Sequence, residues 1–203
     1  MTVVLNYILI AAVAYLLGSI SSSVLISKGI YRIDIRSKGS GNAGATNMAR
    51  IFGMASGLLT FGCDALKTVA ATLIGSRLAG LAGAALAGAF CVIGHCWPAF
   101  FHFKGGKGVT VGAVVALMID WRVFLILAAV FFAVFLVSQI VSLCSVTVAF
   151  LLPVLCFAFH LPTVECLLGL FVGLVVIFQH RSNIGRLLRG EEKKFCPGKR
   201  EKK

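Results

Sequence analysis

Apolar runs follow one another along this chain almost without interruption, at about 3–27, 51–76, 78–94, 108–119, 123–138, 143–159 and 164–179. Hydrocarbon cannot hydrate backbone N–H and C=O groups, so segments of this kind must close their own hydrogen bonds, and the helix is the form that does so alone. The pattern predicts an all-α polytopic membrane bundle of seven transmembrane helices, the fourth short against ~30 Å of hydrocarbon. Composition agrees: 59% of the 203 residues are hydrophobic and 13% charged, which excludes a water-soluble domain. Gly and Ala recur within the runs, as in AGLAGAALAGA at 79–89, and suit helices packed closely in lipid. The first run has no basic residue before it and no small-residue cleavage site ahead of Lys28, so it reads as a retained helix.

Seven crossings put the termini on opposite sides, and charge chooses between the two orientations. With the N-terminus outside, sixteen of the nineteen Lys and Arg fall on the cytoplasmic side, among them Lys28, Arg36, Arg50, Lys104, Lys107, Arg186 and the tail residues Lys193 to Lys203. Arg77 and Arg122 are left outside, and Lys67 falls within a span. This obeys the positive-inside rule and accounts for much of the net charge of +12 as basicity facing anionic lipid, with no need of nucleic acid as a partner. The C-terminus is expected in the cytoplasm. Residues 1–192 read as one membrane domain and 193–203 as a basic tail. The seven cysteines show no C-x-x-C spacing, and at least five lie in apolar runs, so they read as small buried hydrophobes, with Cys196 a free thiol.

Three polar segments interrupt the apolar pattern. The first, 38–50, carries Gly39, Ser40, Gly41, Asn42, Gly44, Thr46, Asn47 and Arg50, which offer turns and short or forked donors suited to phosphate or hydroxyl groups. As capping residues before a helix, the same Asn and Thr would be ordinary. The second, 94–109, carries Lys104, Gly105, Gly106, Lys107 and Gly108. Two cations and three glycines make an anion site, since backbone N–H groups without a Cβ can close on a phosphate. It is not a nucleotide loop: Phe101 stands where the first glycine is required and Gly108 where Ser or Thr is required. No carboxylate neighbours His95 or His102 in sequence, so no metal set is expected there. The third, 180–192, opens with His180, and helical spacing puts Asn183 and Arg186 along its side if the last helix continues, with Glu191 and Glu192 about three turns on. Alternating spans bring all three segments, and the short turn with Ser138, Gln139 and Ser142, to the cytoplasmic face.

These segments together resemble the bacterial acyl-phosphate:glycerol-3-phosphate acyltransferases of phospholipid synthesis. The likeness rests on Gly18-Ser19-Ile20, GSGNAGATNMAR at 39–50, Asp64-x-x-Lys67, GHCWPAFFHFKGGKGV at 94–109, Val141-Ser142-Leu143 and HRSNIGRLLRGEE at 180–192, in order along nearly the whole chain. Ser21-Ser22-Ser23 departs from the Pro that usually follows in that family, and Thr68 stands in place of a common glycine. The resemblance implies an enzyme of the bacterial plasma membrane, working at its cytoplasmic face, that moves a fatty acyl group from acyl phosphate to the 1-hydroxyl of glycerol 3-phosphate. No cofactor or metal is implied, and nothing in the sequence fixes an oligomeric state.

The residues fit that chemistry. Two phosphate-bearing substrates call for cations, and Ser40, Arg50, Lys104, His180 and Asn183 are the expected catalytic set. Gly39, Gly41, Asn42, Gly44, Thr46, Asn47, Gly105, Gly106, Lys107, Gly108 and Ser142 are expected to bind substrate. No H-x-x-x-x-D pair, Ser/His/Asp triad or G-x-S-x-G elbow is present, which argues against an acyl-enzyme. An acyl phosphate is already activated, and its own oxygens can take the hydroxyl proton. Asp64 and Lys67 read first as a buried ion pair. A phosphate transporter should show internal repeats and broken helices in matching halves, which are absent from the sequence, while a lipid-binding scaffold needs only the basic rim.

Overall fold

A computed structural model describes residues 2–196. Nine helices carry the described chain: α1 Thr2–Ser19, α2 Ser22–Tyr31, α3 Ala45–Phe52, α4 Met54–Cys96, α5 Val109–Ile119, α6 Trp121–Ser138, α7 Val141–Ala158, α8 Thr163–Gln179 and α9 Arg181–Leu188. The stretches Val3–Tyr31, Met54–Phe101, Trp121–Ser138 and Val141–Ala158 are each long and apolar enough to cross a membrane. Thr163–Gln179 joins them if taken with α9 across a 62° bend, and Val109–Ile119 is apolar but short. Large apolar side chains face outward, Leu136 and Val137 at 78% and 89% exposure, as a surface solvated by lipid requires.

The first apolar run is two helices. Ser21, Ser22 and Ser23 compete with the helical backbone for hydrogen bonds, and the chain leaves helical geometry at Ser21, with φ −86° and ψ 92°. The break frees carbonyls at the end of α1, and Lys67 takes two of them, Gly18 O at 3.1 Å and Ile20 O at 2.7 Å. A buried lysine therefore holds the kink.

Helix α4 has 43 residues, roughly 65 Å if straight and about twice the hydrocarbon thickness. It does not run straight. Ala79 (φ −149°, ψ 30°) and Gly80 (φ 57°, ψ −144°) turn it into two arms. A Cβ built on Gly75 would lie 2.3 Å from Gly83 O and 2.7 Å from Ala87 Cβ. In a continuous helix residues 75 and 87 would stand about 18 Å apart, so the arms run antiparallel and touch through glycine. The runs 51–76 and 78–94 are thus resolved as two arms, although Ile51 and Phe52 belong to α3, beyond the break at Gly53.

The second arm packs on α1 with the same device: a Cβ on Gly18 would meet Cys91 O at 2.4 Å, and one on Gly94 would meet Tyr15 O at 2.3 Å. Ala99 N donates to Ser19 Oγ at 3.2 Å and Tyr15 OH to Trp97 O at 3.0 Å, which anchors the loop after α4 to the end of α1. That loop, the α2–α3 connection, the α6–α7 turn and the chain after α8 meet at one end of the bundle.

Candidate active site

Where these segments meet, a cavity of about 680 Å³ opens. Its wall takes Gly39, Ser40, Asn42 and Gly44 from the loop before α3, Thr46 and Arg50 from α3, Lys107 from the loop before α5, Ser142 from α7, His180, and Asn183 from α9. An adjoining pocket of about 290 Å³ is lined by Lys104, Gly105 and Gly106 and shares Asn42 and Lys107. The sequence-derived set is therefore divided, with Lys104 beside the main cavity and not on it. Gly41, Asn47 and Gly108 line neither.

Asn47 holds the first loop in shape. It is buried, its Oδ1 accepts from Ser40 N at 3.0 Å, and its Nδ2 donates to Lys38 O, Asn42 O and Ile35 O at 3.0, 3.1 and 3.3 Å. The loop wraps so closely that a Cβ on Gly39, where φ is +59°, would fall 2.4 Å from Asn47 Oδ1. Arg36 then ties this loop to the second one: its guanidinium bonds both oxygens of Asp34 and donates to Phe101 O at 2.8 Å. Arg36 also holds the Asp34 carboxyl well below the usual carboxylate range.

The glycines of the second loop do something other than expected. Gly106 N donates to His95 O at 3.0 Å and Gly105 N to Cys96 O at 3.2 Å, so neither N–H is free to close on a phosphate. Both are committed to the last carbonyls of α4. Their small size is what matters: a Cβ on Gly105 would lie 2.1 Å from His95 O, and one on Gly106 2.1 Å from His95 Nε2. The loop is pressed onto the end of α4, and this brings Lys107 to the cavity.

Lys107 Nζ donates to Asn183 Oδ1, and Asn183 Nδ2 donates to Glu192 Oε1 at 2.6 Å. Glu192 also accepts from Ser142 Oγ at 2.8 Å and, on Oε2, from Arg186 Nε at 2.6 Å. Burial raises the Glu192 carboxyl, but the bonds from Arg186, Asn183 and Ser142 outweigh it and hold the group below its ordinary value. Burial pulls the Lys107 ammonium down to about 8, against the pull of Glu192 and with help from Arg186 and Arg50. Lys107 is thus a cation at neutral pH with little margin.

Glu192 was expected three turns beyond His180, and the structure corrects this. The chain bends 62° at His180, and α9 stops at Leu188. Gly190 takes φ +70° while Gly190 N bonds Leu187 O and Glu191 N bonds Arg186 O, a left-handed helix stop that turns the chain back. The residues after it run to the end of α6: Phe195 N donates to Gln139 O at 2.8 Å and the Phe195 ring meets Phe135 edge-on. Lys193, Lys194 and Cys196 therefore line the site. The rest of the expected tail, 197–203, falls outside the described residues.

His180 is 3% exposed, and its Nδ1 lies 2.8 Å from Val176 O. A carbonyl only accepts, so the neutral ring carries its proton on Nδ1 and presents Nε2 as an acceptor. No carboxylate is needed to set this tautomer. Asp64 and His95 also line the cavity, with His95 Nδ1 3.8 Å from Asp64 Oδ1. The expectation that no carboxylate neighbours His95 held for the sequence and fails in space, because the two arms of α4 bring residues 64 and 95 together. Arg50, Lys107, Arg186, Lys193 and Lys194 face the cavity against the carboxylates Asp64 and Glu192, a balance suited to anionic ligands.

A family model described as glycerol-3-phosphate acyltransferase matches residues 8–190. The glycerol-3-phosphate acyltransferase of Clostridioides difficile is 43% identical over 202 residues, covering 95% of this chain and 97% of its own. That of Thermoanaerobacter pseudethanolicus is 41% identical over 188 residues, covering 93% of this chain and 95% of its own. Among solved structures, PlsY (YgiH), an integral membrane glycerol 3-phosphate acyltransferase, is similar in its glycerol 3-phosphate form with a TM-score of 0.88 at 36% identity, covering 94% of this chain and 96% of that one. Its lysophosphatidic acid form gives a TM-score of 0.86 at 35% identity, covering 94% and 95%.

Proposed function

Because the chain belongs to the glycerol-3-phosphate acyltransferase family, we propose that it moves a fatty acyl group from acyl phosphate to the 1-hydroxyl of glycerol 3-phosphate, giving lysophosphatidic acid and phosphate. The observation that carries this reading is the cavity itself, where cations from three separate segments meet beside a neutral imidazole acceptor at one end of an apolar bundle. Two phosphates are held near each other by Arg50, Lys107 and Arg186, while Ser40, Asn42, Thr46, Ser142 and Asn183 bond their oxygens and the glycerol hydroxyls. Lys104, in the adjoining pocket, adds positive charge to the approach. Gly39, Gly41, Gly44, Asn47, Gly105, Gly106 and Gly108 act by shaping the two loops.

In the reaction, the 1-hydroxyl oxygen bonds to the acyl carbon and the bond from that carbon to the phosphate oxygen breaks. Phosphate leaves with the bonding electrons, and one of its oxygens takes the hydroxyl proton. His180 Nε2 orients the hydroxyl, and Lys107 and Arg50 stabilise charge growing on the departing phosphate. The donor is acyl phosphate itself, since the cations gathered at the cavity suit a phosphate as leaving group. Purified protein should form lysophosphatidic acid from acyl phosphate and fail to do so from acyl-CoA; comparable rates from the two donors would refute the reading.

The bundle is read as crossing the bacterial plasma membrane seven times, with each arm of α4 and short α5 as separate crossings, the N-terminus outside and the cavity open to the cytoplasm. Support comes from the basic residues gathered at the cavity end and from the Asp120–Arg122 pair, 2.7 Å apart, at the far end of α5. In a cysteine-depleted background, a cysteine at Asp120 should react with an impermeant thiol reagent in intact cells. Cys196 restored alone should react only after lysis. The opposite pattern would reverse the orientation.

A further inference from the structure

Among the side chains on the cavity wall with no part in the reaction as described so far are Asp64 and His95, at 1% and 7% exposure. They come from the two arms of α4, and Lys67 joins them. Its Nζ lies 2.8 Å from Asp64 Oδ1 and 3.2 Å from His95 Nδ1. The same ammonium is fixed by the carbonyls of Gly18 and Ile20, and Ser22 Oγ donates to Asp64 Oδ1 at 2.8 Å. His95 therefore sits against a cation that cannot swing away.

An ammonium accepts no hydrogen bond and repels an N–H pointed at it, so the ring nitrogen facing Lys67 turns its lone pair to the cation, even though Gly18 O, Ile20 O and Asp64 share its three protons. The neutral His95 imidazole thus keeps its proton on Nε2. Within the described residues Nε2 has no hydrogen-bond partner, yet no sealed side-chain nitrogen or oxygen there lacks one, so Nε2 opens on the cavity that His95 lines. His180 is set the other way, with its proton on Nδ1 and its lone pair on Nε2. One cavity holds one imidazole that donates and one that accepts.

We propose that His95 is a further catalytic residue, whose Nε2–H donates to the carbonyl oxygen of the acyl donor, with Lys67 and Asp64 as positioning residues that hold its tautomer. The proposal rests on the acyl-transfer reading above. Charge selects the carbonyl over a phosphate. Asp64 and Lys67 beside His95 neutralise each other, so this corner has no net charge to hold a phosphate dianion, which the cations Arg50, Lys107 and Arg186 attract instead. A neutral carbonyl fits beside the neutral pair. As the hydroxyl oxygen bonds to the acyl carbon, the carbonyl π pair moves onto oxygen, and the Nε2–H meets that charge. The pair returns as the bond to phosphate breaks, and phosphate leaves with its electrons and the hydroxyl proton. A fixed N–H donor aimed at a developing oxyanion changes kcat more than ground-state affinity.

The test uses purified wild-type protein, His95→Leu and His95→Gln with acyl phosphate and glycerol 3-phosphate. The Leu variant should lose about 10²- to 10³-fold in kcat with KM for glycerol 3-phosphate little changed. The Gln variant, which keeps an N–H near the position of Nε2, should recover much of that loss. Equal rates for the two variants, or a loss confined to KM, would overturn the proposal. Should the Leu variant fail to fold, histidine ¹⁵N shifts of the wild-type protein in detergent decide it: a proton on Nε2 of His95 and on Nδ1 of His180 is expected, and a proton on Nδ1 of His95 overturns it. Absence of wild-type turnover with these substrates would instead remove the acyl-transfer reading, and the ¹⁵N result would still decide the tautomer.

Discussion

Lys107→Ala should lower kcat/KM for glycerol 3-phosphate by roughly 10²- to 10³-fold, about 3–4 kcal/mol of transition-state stabilisation. Lys107 is built into a bonded network on the cavity wall: its ammonium bonds Asn183, which bonds Glu192, which in turn gathers Ser142 and Arg186. Removing it takes away charge needed by the leaving phosphate and releases Asn183 from its place. The same residue gives a pH signature. Burial and the nearby Arg186 and Arg50 outweigh Glu192 and set its pKa at about 8 in the protein without substrate. The cation is present below that value and lost above it, so kcat/KM should fall as pH rises through about 8. Lys107→Arg carries a charge that does not titrate in this range, and the alkaline limb should move upward even if the rate at neutral pH is lower. A limb that stays in place in the Arg variant would assign it to another group.

Gly106→Ala should cost on the order of 10²-fold in activity and about 1–3 kcal/mol in stability. The added methyl would lie 2.1 Å from His95 Nε2 and 2.9 Å from Ala43 O. Neither neighbour is free to yield, since His95 is held at Lys67 and Ala43 belongs to the loop that Asn47 pins. The loop must lift from α4, and Lys107 moves with it. Gly62→Ala is the matched control, because a Cβ there meets nothing within 4 Å, and activity and melting temperature should stay near wild type. Similar behaviour of the two variants would show that the close approach at Gly106 is not what positions Lys107.

The long apolar runs made the helical class and most of the helix positions legible, because hydrocarbon leaves the backbone no other way to bond itself. Part of the cavity's lining was legible in the same way, from polar residues that an apolar chain retains at its helix ends, while Lys104 proved to lie beside the cavity and Asp64, His95, Lys193 and Lys194 joined it. What stayed hidden depends on geometry without periodic signal. The break at Ser21 has a local cue in its three serines, but Lys67, which holds it, is more than forty positions away, and no pattern pairs the two. A turn between the runs 51–76 and 78–94 was legible at Arg77, but its place at Ala79–Gly80 and the pairing of the two arms that sets Asp64 beside His95 were not. The return of Glu192 to the site had a local cue, the glycine after Arg189, whose left-handed conformation ends α9. Extending the last helix past that glycine is what set Glu192 too far away. The roles of Gly105 and Gly106 were reversed for a similar reason: glycine in a basic loop signals either a free N–H or a close approach, and only the bonds to His95 O and Cys96 O distinguish them.

Release of phosphate from acyl phosphate by purified protein, followed with and without glycerol 3-phosphate, tests the direct-transfer account most directly. Without the acceptor there should be no burst of phosphate and no acylated protein by mass spectrometry; on its addition, phosphate and lysophosphatidic acid should appear in equal amounts. A burst equal to the amount of protein, with an acyl group left on a side chain, would contradict direct transfer between two substrates held in the cavity.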